Sequence, residues 1–168
     1  MIFNVGEYNA LEKKIIRILK KKKIRYYQNL SSFKVGGVRL YFLNTGLYDN
    51  ENDNSSVIYT KIDGFSFLFM GDASAVREKD ILDTYSISDI DVLKVGHHGS
   101  NTSSSKAFID EIQPKYSMIS VGRNNKFGHP NEESLDHLKN SRIYRTDQDG
   151  SILFRIRNER LVVSTGMS

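Results

Sequence analysis

The sequence contains no cysteine, no tryptophan and only two prolines. The absence of cysteine excludes a disulfide framework, a thiolate metal site and a cysteine nucleophile. No apolar run approaches the roughly 18 residues that a membrane-spanning helix requires, and the first residues lack the basic and then apolar layout of a signal peptide. We therefore expect a chain without a membrane segment that is cytoplasmic when isolated.

The composition is that of a folded protein. The 168 residues are 39% apolar and 11% aromatic, which excludes a disordered or low-complexity chain and allows a sizeable core. Neither an internal repeat nor a linker divides the sequence, so we expect a single domain over residues 1–168.

The charge is mildly basic, with a formal net charge of +4 at pH 7, and much of the excess lies between residues 13 and 25. One interpretation is a solvated helix face whose last cations lie at the negative end of the helix dipole. The alternative is a patch that contacts the phosphates of DNA. The candidate residues for that patch are Lys20, Lys21, Lys22 and Lys23.

Hydrophobic periodicity predicts the elements. Apolar side chains at Leu11, Ile15, Ile18 and Leu19 predict an amphipathic helix over 8–23. The Asp63-Gly64 turn predicts a hairpin of strands 56–62 and 65–70. The remaining patterns predict strands at 38–43, 91–95, 116–121, 143–145, 151–157 and 160–165, and helices at 73–85, at 104–112 behind Ser and Thr caps, and at 131–139 behind Asn131. This order predicts an α/β fold with mixed sheets and helices packed outside.

Three short segments place metal-capable side chains at sharp turns just after predicted apolar strands, where α/β enzymes usually have their sites. The first segment ends in Gly71-Asp72. Asp72 can bind two cations, one through each carboxylate oxygen. Its alternative role is the N-cap of the following helix, because Asp is a favoured cap.

The other two segments contain histidines. His97 and His98 lie between two glycines at a strand end, so they cannot both point into a core, and at least one should face a cleft. His129 precedes a proline, which favours an extended backbone and suits a fixed ligand. His137 lies without companions in a predicted helix, and we expect it to be structural or on the surface.

Together these segments resemble a known family. The motifs that carry the resemblance are NSSV at 54–57, LFMGD at 68–72, LKVGHHGS at 93–100, ISVG at 119–122, NKFGHP at 125–130 and YRTD at 144–147. The series is similar to the C-terminal metallo-β-lactamase-fold domain of ComEC-type competence proteins, which act in DNA uptake. The similarity covers most of the chain.

The resemblance implies an αββα sandwich with a pair of divalent metals, zinc or manganese, at the sheet edges. It implies Asp72, His98 and His129 as metal ligands, with Asp72 bridging. It also implies His97 and His98 as catalytic residues that complete the coordination or donate protons, and leaves open which of the two is a ligand. A metal in such a site lowers the pKa of bound water to ~7 and supplies hydroxide for attack on a phosphodiester.

The sequence departs from the family in its first half. The family's His-x-His-x-Asp-His signature, or its His-x-Asp-x-Asp-His version, is missing, because no histidine precedes residue 97. We therefore expect a domain truncated on its N-terminal side, beginning partway through the sandwich, with too few ligands for tight two-metal hydrolysis. The expected partner is a complementary N-terminal half or a longer parent protein.

A truncated sandwich should also self-associate, because strands that would cover or pair with its first sheet are absent. Strand alternation should send half of the apolar candidates towards a core and half outwards. These candidates are Leu40, Phe42, Ile58, Phe65, Phe67 and Phe69.

Three functions fit these features. The first is metal-dependent hydrolysis of DNA linked to uptake, inactive without the missing half. The second is a non-catalytic remnant or accessory module that binds nucleic acid through the basic helix, and the third is a small-molecule hydrolase of the same fold. DNA is the expected partner, and the location is membrane-associated or extracytoplasmic if the chain belongs to a competence channel.

Overall fold

A computed structural model describes residues 2–3, 8 and 10–166 of the chain. Most of the opening segment 1–7 and part of the start of the first predicted helix lie outside these residues. The strands are β1 (Ile2–Phe3), β2 (Tyr27–Gln28), β3 (Ser32–Val35), β4 (Val38–Phe42), β5 (Ile58–Ile62), β6 (Phe65–Phe69), β7 (Val92–Lys94), β8 (Tyr116–Ile119), β9 (Arg142–Arg145), β10 (Ser151–Arg157) and β11 (Arg160–Gly166). The helices are α1 (Ala10–Lys21), α2 (Ala75–Thr84), α3 (Lys106–Ile112), α4 (Glu132–His137) and α5 (Thr146–Asp149).

A seven-stranded mixed sheet forms the centre of the fold. Its strands lie in the order β3-β4-β5-β6-β7-β8-β9, antiparallel from β3 to β6 and parallel from β6 to β9. The parallel strands are joined by segments that contain helices, as parallel connections require. The predicted mixed α/β fold is confirmed, and the carboxyl ends of β6, β7 and β8 lie at one edge of the sheet.

The core lies between one face of this sheet and the helices. Leu68 and Leu93 project from β6 and β7, Ile81 from α2, and Phe108 and Ile112 from α3, all in one buried cluster. Each is at most 1% exposed. Burying a side chain of this size contributes roughly 1.5–3 kcal/mol, so this cluster supplies much of the stability of the sheet that carries the site.

The other face of the sheet is rich in aromatic residues. The cross-strand register aligns Phe42, Ile58 and Phe69 in one row and Leu40 with Thr60 and Phe67 in the next. All six of the apolar candidates therefore lie on this one face, and the expectation that alternation divides them is wrong. Phe42 and Phe67 are buried, whereas Phe69 is 38% exposed.

A hairpin covers the far end of the aromatic face. Strands β10 and β11, both predicted as strands, pair along their whole length. Phe154 of β10 packs edge-on against Tyr116 of β8 and Tyr144 of β9, with ring centroids 5.9 and 6.2 Å apart.

The first helix belongs to a smaller apolar cluster. Ile16 and Leu19 are buried there with Phe3 of β1, while Leu11 and Ile18 are 64% and 45% exposed. Of the four residues predicted to form the apolar stripe, Leu11 and Ile18 are therefore exposed rather than packed in this cluster. The helix also ends at Lys21, so Lys22 and Lys23 lie in the turn that follows it.

Helix caps correct two predictions. Helix α2 begins after Ser74, whose Oγ accepts a hydrogen bond from the Val76 N–H at 3.3 Å; the N-cap role for Asp72 is therefore wrong. At the start of α3 the Ser105 side chain makes no cap. The predicted Asn131 cap of α4 is confirmed, since its Oδ1 accepts from the Glu133 N–H at 3.0 Å.

The carboxylate of Glu78 caps α3 instead. Its two oxygens accept the N–H groups of Ser104 and Ser105 at 2.5 and 2.8 Å. Strands β1, β2 and β3 and helix α5 were not predicted, because segments this short show no clear hydrophobic period.

None of the helices in the described ranges has the length and hydrophobicity needed to span a membrane, and the longest, α1, has 12 residues.

Candidate functional site

Asp72 lies on a sharp turn directly after β6. Gly71 has a φ of 59°, and a Cβ atom there would lie 2.7 Å from the Cβ of Ser55, so the turn requires glycine. The Asp72 N–H donates to the Ser55 Oγ at 3.1 Å, and the Ser74 N–H donates to buried Asp53 at 2.7 Å. The loop before β5 therefore fixes the backbone that presents Asp72.

That loop is held in turn by polar contacts with its own residues and with α2. The Asn54 side chain accepts from the Tyr48 N–H at 3.1 Å and donates to the Tyr48 carbonyl at 2.7 Å. Fully buried Arg77 donates to the Leu43 carbonyl at 2.9 Å and lies 5.1 Å from the Tyr48 ring. The motif at 54–57 thus supports the Asp72 turn through the Ser55 hydroxyl, which accepts the Asp72 N–H, a role that its sequence did not reveal.

His97 and His98 lie in a tight turn after β7. Both have left-handed backbone angles, with φ of 45° and 56°. Such conformations cost of order 1 kcal/mol or more for a residue with a Cβ, and they are found in tight turns and at functional sites. The turn is fixed on the Asp72 turn, because the His97 N–H donates to the Gly71 carbonyl at 3.0 Å.

The ring of His98 is oriented by the neighbouring strand. Its Nδ1 lies 2.6 Å from the Ser120 carbonyl oxygen, just after β8. A carbonyl can only accept, so Nδ1 carries a hydrogen, and in the neutral ring Nε2 is then the atom that can accept or bind a cation. That Nε2 atom lies 3.9 Å from Oδ1 of Asp72, and both side chains are roughly half exposed.

His97 points to different partners. Its Nδ1 is 3.2 Å from the Thr102 hydroxyl, which can either donate or accept. Its ring lies edge-on to the ring of His129, with centroids 6.0 Å apart. The two adjacent histidines therefore face different parts of the site.

His129 is fixed by a clamp and by contact with the second segment. Asn125 accepts from the His129 N–H at 2.9 Å and donates to the His129 carbonyl at 2.7 Å. The His129–Pro130 peptide bond is cis. At Gly99, where φ is 78°, a Cβ would lie 2.7 Å from the Cβ of Pro130, so a larger residue would separate the two segments.

Burial lowers the pKa of His129, and the nearby His97 and His98 lower it further. Its imidazole is therefore neutral at pH 7, the form that can accept a proton or bind a metal.

A cleft of about 390 Å³ opens beside these histidines, lined in part by His98, Phe127, His129 and Thr146. The Thr146 hydroxyl donates to the Val121 carbonyl and accepts its N–H, both at 2.8 Å. The motif at 144–147 therefore builds a wall of the cleft.

A salt bridge stands next to Thr146. Arg145 binds both carboxylate oxygens of Asp147, at 3.0 and 2.6 Å, and this pairing lowers the pKa of Asp147.

Lys94 is a residue that the sequence analysis missed. It lies at the end of β7, and its Nζ donates to the Val95 carbonyl at 2.9 Å. Burial lowers the pKa of Lys94, while the nearby Asp72 carboxylate acts in the opposite direction. A single lysine at the end of an apolar strand was the available signal.

His137 and the lysine run lie away from these contacts. The Nδ1 atom of His137 bonds with the Ser104 carbonyl at 2.8 Å, which agrees with the structural one of the two roles expected for it. Lys20, Lys21, Lys22 and Lys23 are all exposed, next to an apolar cluster that is separate from the core of the large sheet.

The donors at this site are too few for a complete metal centre. Asp72 and His98 supply two, whereas catalytic zinc sites usually have three protein ligands. Within the part of the chain that the structure describes, no group of three or more His, Asp or Glu side chains is close enough to hold a metal ion. The described residues therefore do not fit a complete metal centre by themselves.

The chain is similar to competence proteins of several bacteria. It is 38% identical over 111 residues to ComE operon protein 3 of Bacillus subtilis (strain 168), which covers 65% of this chain and 14% of that protein. It is 33% identical over 123 residues to Competence protein ComA of Neisseria gonorrhoeae, covering 70% of this chain and 18% of that protein. Recombination protein 2 of Haemophilus influenzae is 33% identical over 115 residues, which cover 67% of this chain and 14% of that protein.

The matched region thus spans less than a fifth of the length of these ComEC-type relatives. A solved structure of the metallo-beta-lactamase superfamily from Thermotoga maritima is 18% identical, with a TM-score of 0.41 over 68% of this chain and 58% of that one. The family model of the metallo-beta-lactamase superfamily matches residues 34–123. This match includes more than half of the 168 residues, and the chain belongs to the metallo-beta-lactamase superfamily.

Proposed function

We propose that this chain forms part of a metal-dependent hydrolase that cleaves phosphodiester bonds in DNA during DNA uptake. Membership of the superfamily supports hydrolytic chemistry. The similarity to ComE operon protein 3 and Competence protein ComA supports a role in competence.

One observation carries the proposal: the Nε2 of His98 and the Oδ1 of Asp72 face each other at 3.9 Å, while the Ser120 carbonyl accepts from Nδ1 and so leaves Nε2 as the metal-binding atom of the neutral ring. In our proposal these two residues bind zinc or manganese. His129, neutral and close to His97, holds a proton, and His97 positions the substrate or donates a proton.

The remaining metal ligands come from elsewhere in a longer parent protein. Two facts support this step. The donor set of the described residues is incomplete, and the matched region is only 14–18% of the length of the relatives. We therefore expect weak metal binding and slow cleavage by this chain alone.

The test compares the wild type with Asp72→Asn. Calorimetry with Mn²⁺ or Zn²⁺ should show weak binding that the substitution abolishes, and a labelled oligonucleotide should be cleaved slowly by the wild type only. Asp110→Asn is the matched control, because this exposed carboxylate pairs with Lys106 on α3. Identical titrations of the wild type and Asp72→Asn would refute the metal site.

A second candidate is a non-catalytic module that binds nucleic acid through Lys20, Lys21, Lys22 and Lys23. The exposure of all four lysines favours it. Replacing all four with Gln should flatten the slope of log affinity against log salt by about 0.9 for each phosphate on duplex DNA that a lysine had neutralised. Binding with this salt dependence, together with a complete absence of cleavage, would favour this candidate over the hydrolase.

A further inference from the structure

Phe127 is an exposed aromatic residue at the mouth of the candidate site. Its side chain is 70% exposed, more than any other large hydrophobic residue in the described part of the chain. Its ring lies nearly parallel to the ring of His129, with an interplanar angle of 19° and centroids 5.9 Å apart. The side chain is not part of the core, so it is accessible to a ligand.

The loop around Phe127 is positioned and basic. Asn125 clamps the His129 peptide unit, which fixes the carboxyl end of the loop. The ammonium of exposed Lys126 lies over the Phe127 ring, 5.3 Å from its centroid, so this side chain must swing aside when a base stacks there. The Arg123 Nε donates to the Asp147 carbonyl at 3.2 Å, so a second cation is anchored where the loop begins.

The loop from Arg123 to His129 combines an exposed aromatic ring with two basic side chains and borders the cleft that His98 lines.

We propose that Phe127 is a stacking platform for an unpaired nucleobase, with Lys126 and Arg123 beside the flanking phosphates. An aromatic ring within a basic groove is the combination by which proteins bind single-stranded nucleic acids. A base-paired duplex keeps the faces of its bases stacked on one another, so the platform selects single strands or frayed ends. This inference rests on the proposed action on DNA and specifies how the substrate is held.

The position of the platform determines which nucleotide it holds. Because the Phe127 ring is adjacent to His129, the stacked base belongs to a nucleotide next to the phosphate that enters the candidate site. The loop thus contacts the bases as well as the phosphates of the strand. An abasic strand should lose the stacking on Phe127 and keep the electrostatic interactions.

The chain has no tryptophan, so Phe127→Trp introduces a single fluorescent reporter at the platform. In EDTA, which prevents cleavage, a short oligothymidylate should quench its emission, whereas an abasic strand of equal length should not. Tyr41→Trp is the matched control, because Tyr41 is 43% exposed on the large sheet and should show no quenching.

Fluorescence anisotropy of the labelled strands measures the contribution to affinity. Phe127→Leu, which keeps an apolar side chain without a π-face, should weaken binding of the oligothymidylate about tenfold, whereas Phe127→Tyr should restore it. Binding of the abasic strand should be the same in both variants.

The outcomes separate this inference from the proposed function. If the wild type binds oligothymidylate and Phe127→Leu binds it equally well, the stacking platform is refuted while the action on DNA stands. Equal quenching by the abasic strand also refutes it. If the wild type binds no nucleic acid at all, the proposed action on DNA fails, and the platform fails with it.

Discussion

The imidazole of His98 and the carboxylate of Asp72 face each other at 3.9 Å, between Nε2 and Oδ1, although they follow different strands. The parallel pairing of β6 with β7 aligns Phe69 with Lys94, so the turns after both strands leave the sheet at one edge. The carbonyl of Ser120, after the next parallel strand, sets the His98 ring. Three neighbouring strand ends thus create this pair.

We expect His98 rather than His97 to be the metal ligand of the pair. Only His98 has an Nε2 that faces Asp72, while His97 faces Thr102 and His129. Calorimetry with Mn²⁺ should show that His98→Asn loses binding and that His97→Asn retains it. A greater loss in His97→Asn would reverse the two assignments.

Gly71→Ala should destabilise the protein by about 1–3 kcal/mol, because the alanine would adopt a left-handed φ and its Cβ would contact Ser55 at 2.7 Å. Urea denaturation measures the change in the free energy of unfolding. Gly122→Ala serves as the control, since a Cβ at Gly122 meets nothing within 4 Å. Equal stabilities of the two variants would contradict the tight turn.

Glu78 should make stability depend on pH. Burial raises its pKa above the ordinary value of 4.5, and the hydrogen bonds from Ser104 and Ser105 offset this only in part. Between 4.5 and the raised pKa, the folded protein binds more protons than the unfolded chain. The contribution of Glu78 to the stability of the fold is therefore fully present below pH 4.5 and is lost as the pH rises through the pKa of Glu78 in the folded protein.

The measurement is the difference in free energy of unfolding between the wild type and Glu78→Gln at several pH values. The wild-type value minus the Glu78→Gln value should fall as the pH rises from about 4.5, because the glutamine does not titrate. A difference that is constant with pH would show that burial does not perturb Glu78.

We expect self-association through the aromatic face of the large sheet. Phe69 is 38% exposed there, and apolar patches on a sheet recruit partners. Sedimentation should show mass that increases with concentration, and Phe69→Lys should reduce it. A monodisperse wild-type monomer that binds no hydrophobic dye would contradict this prediction.

The amino-acid sequence determined the features that depend on neighbouring residues. The Asp63-Gly64 turn, the Asn131 cap and the alternation of strands with helices follow from local backbone preferences and hydrophobic periods, and the structure agrees with them. The metallo-β-lactamase resemblance followed from its short motifs and is confirmed by the family match. The single domain and the roles of the site residues stay predictions.

The tertiary structure decided which distant groups meet. The His98 ring is oriented by a carbonyl on another strand, α3 is capped by Glu78 rather than by its own serines, and six apolar side chains share one face through cross-strand register. No local pattern contains this information, because it depends on how strands pair and in which register. The sequence therefore identified the candidate groups, while the packing of strands and turns fixed their partners, their exposure and, for His98, the tautomer.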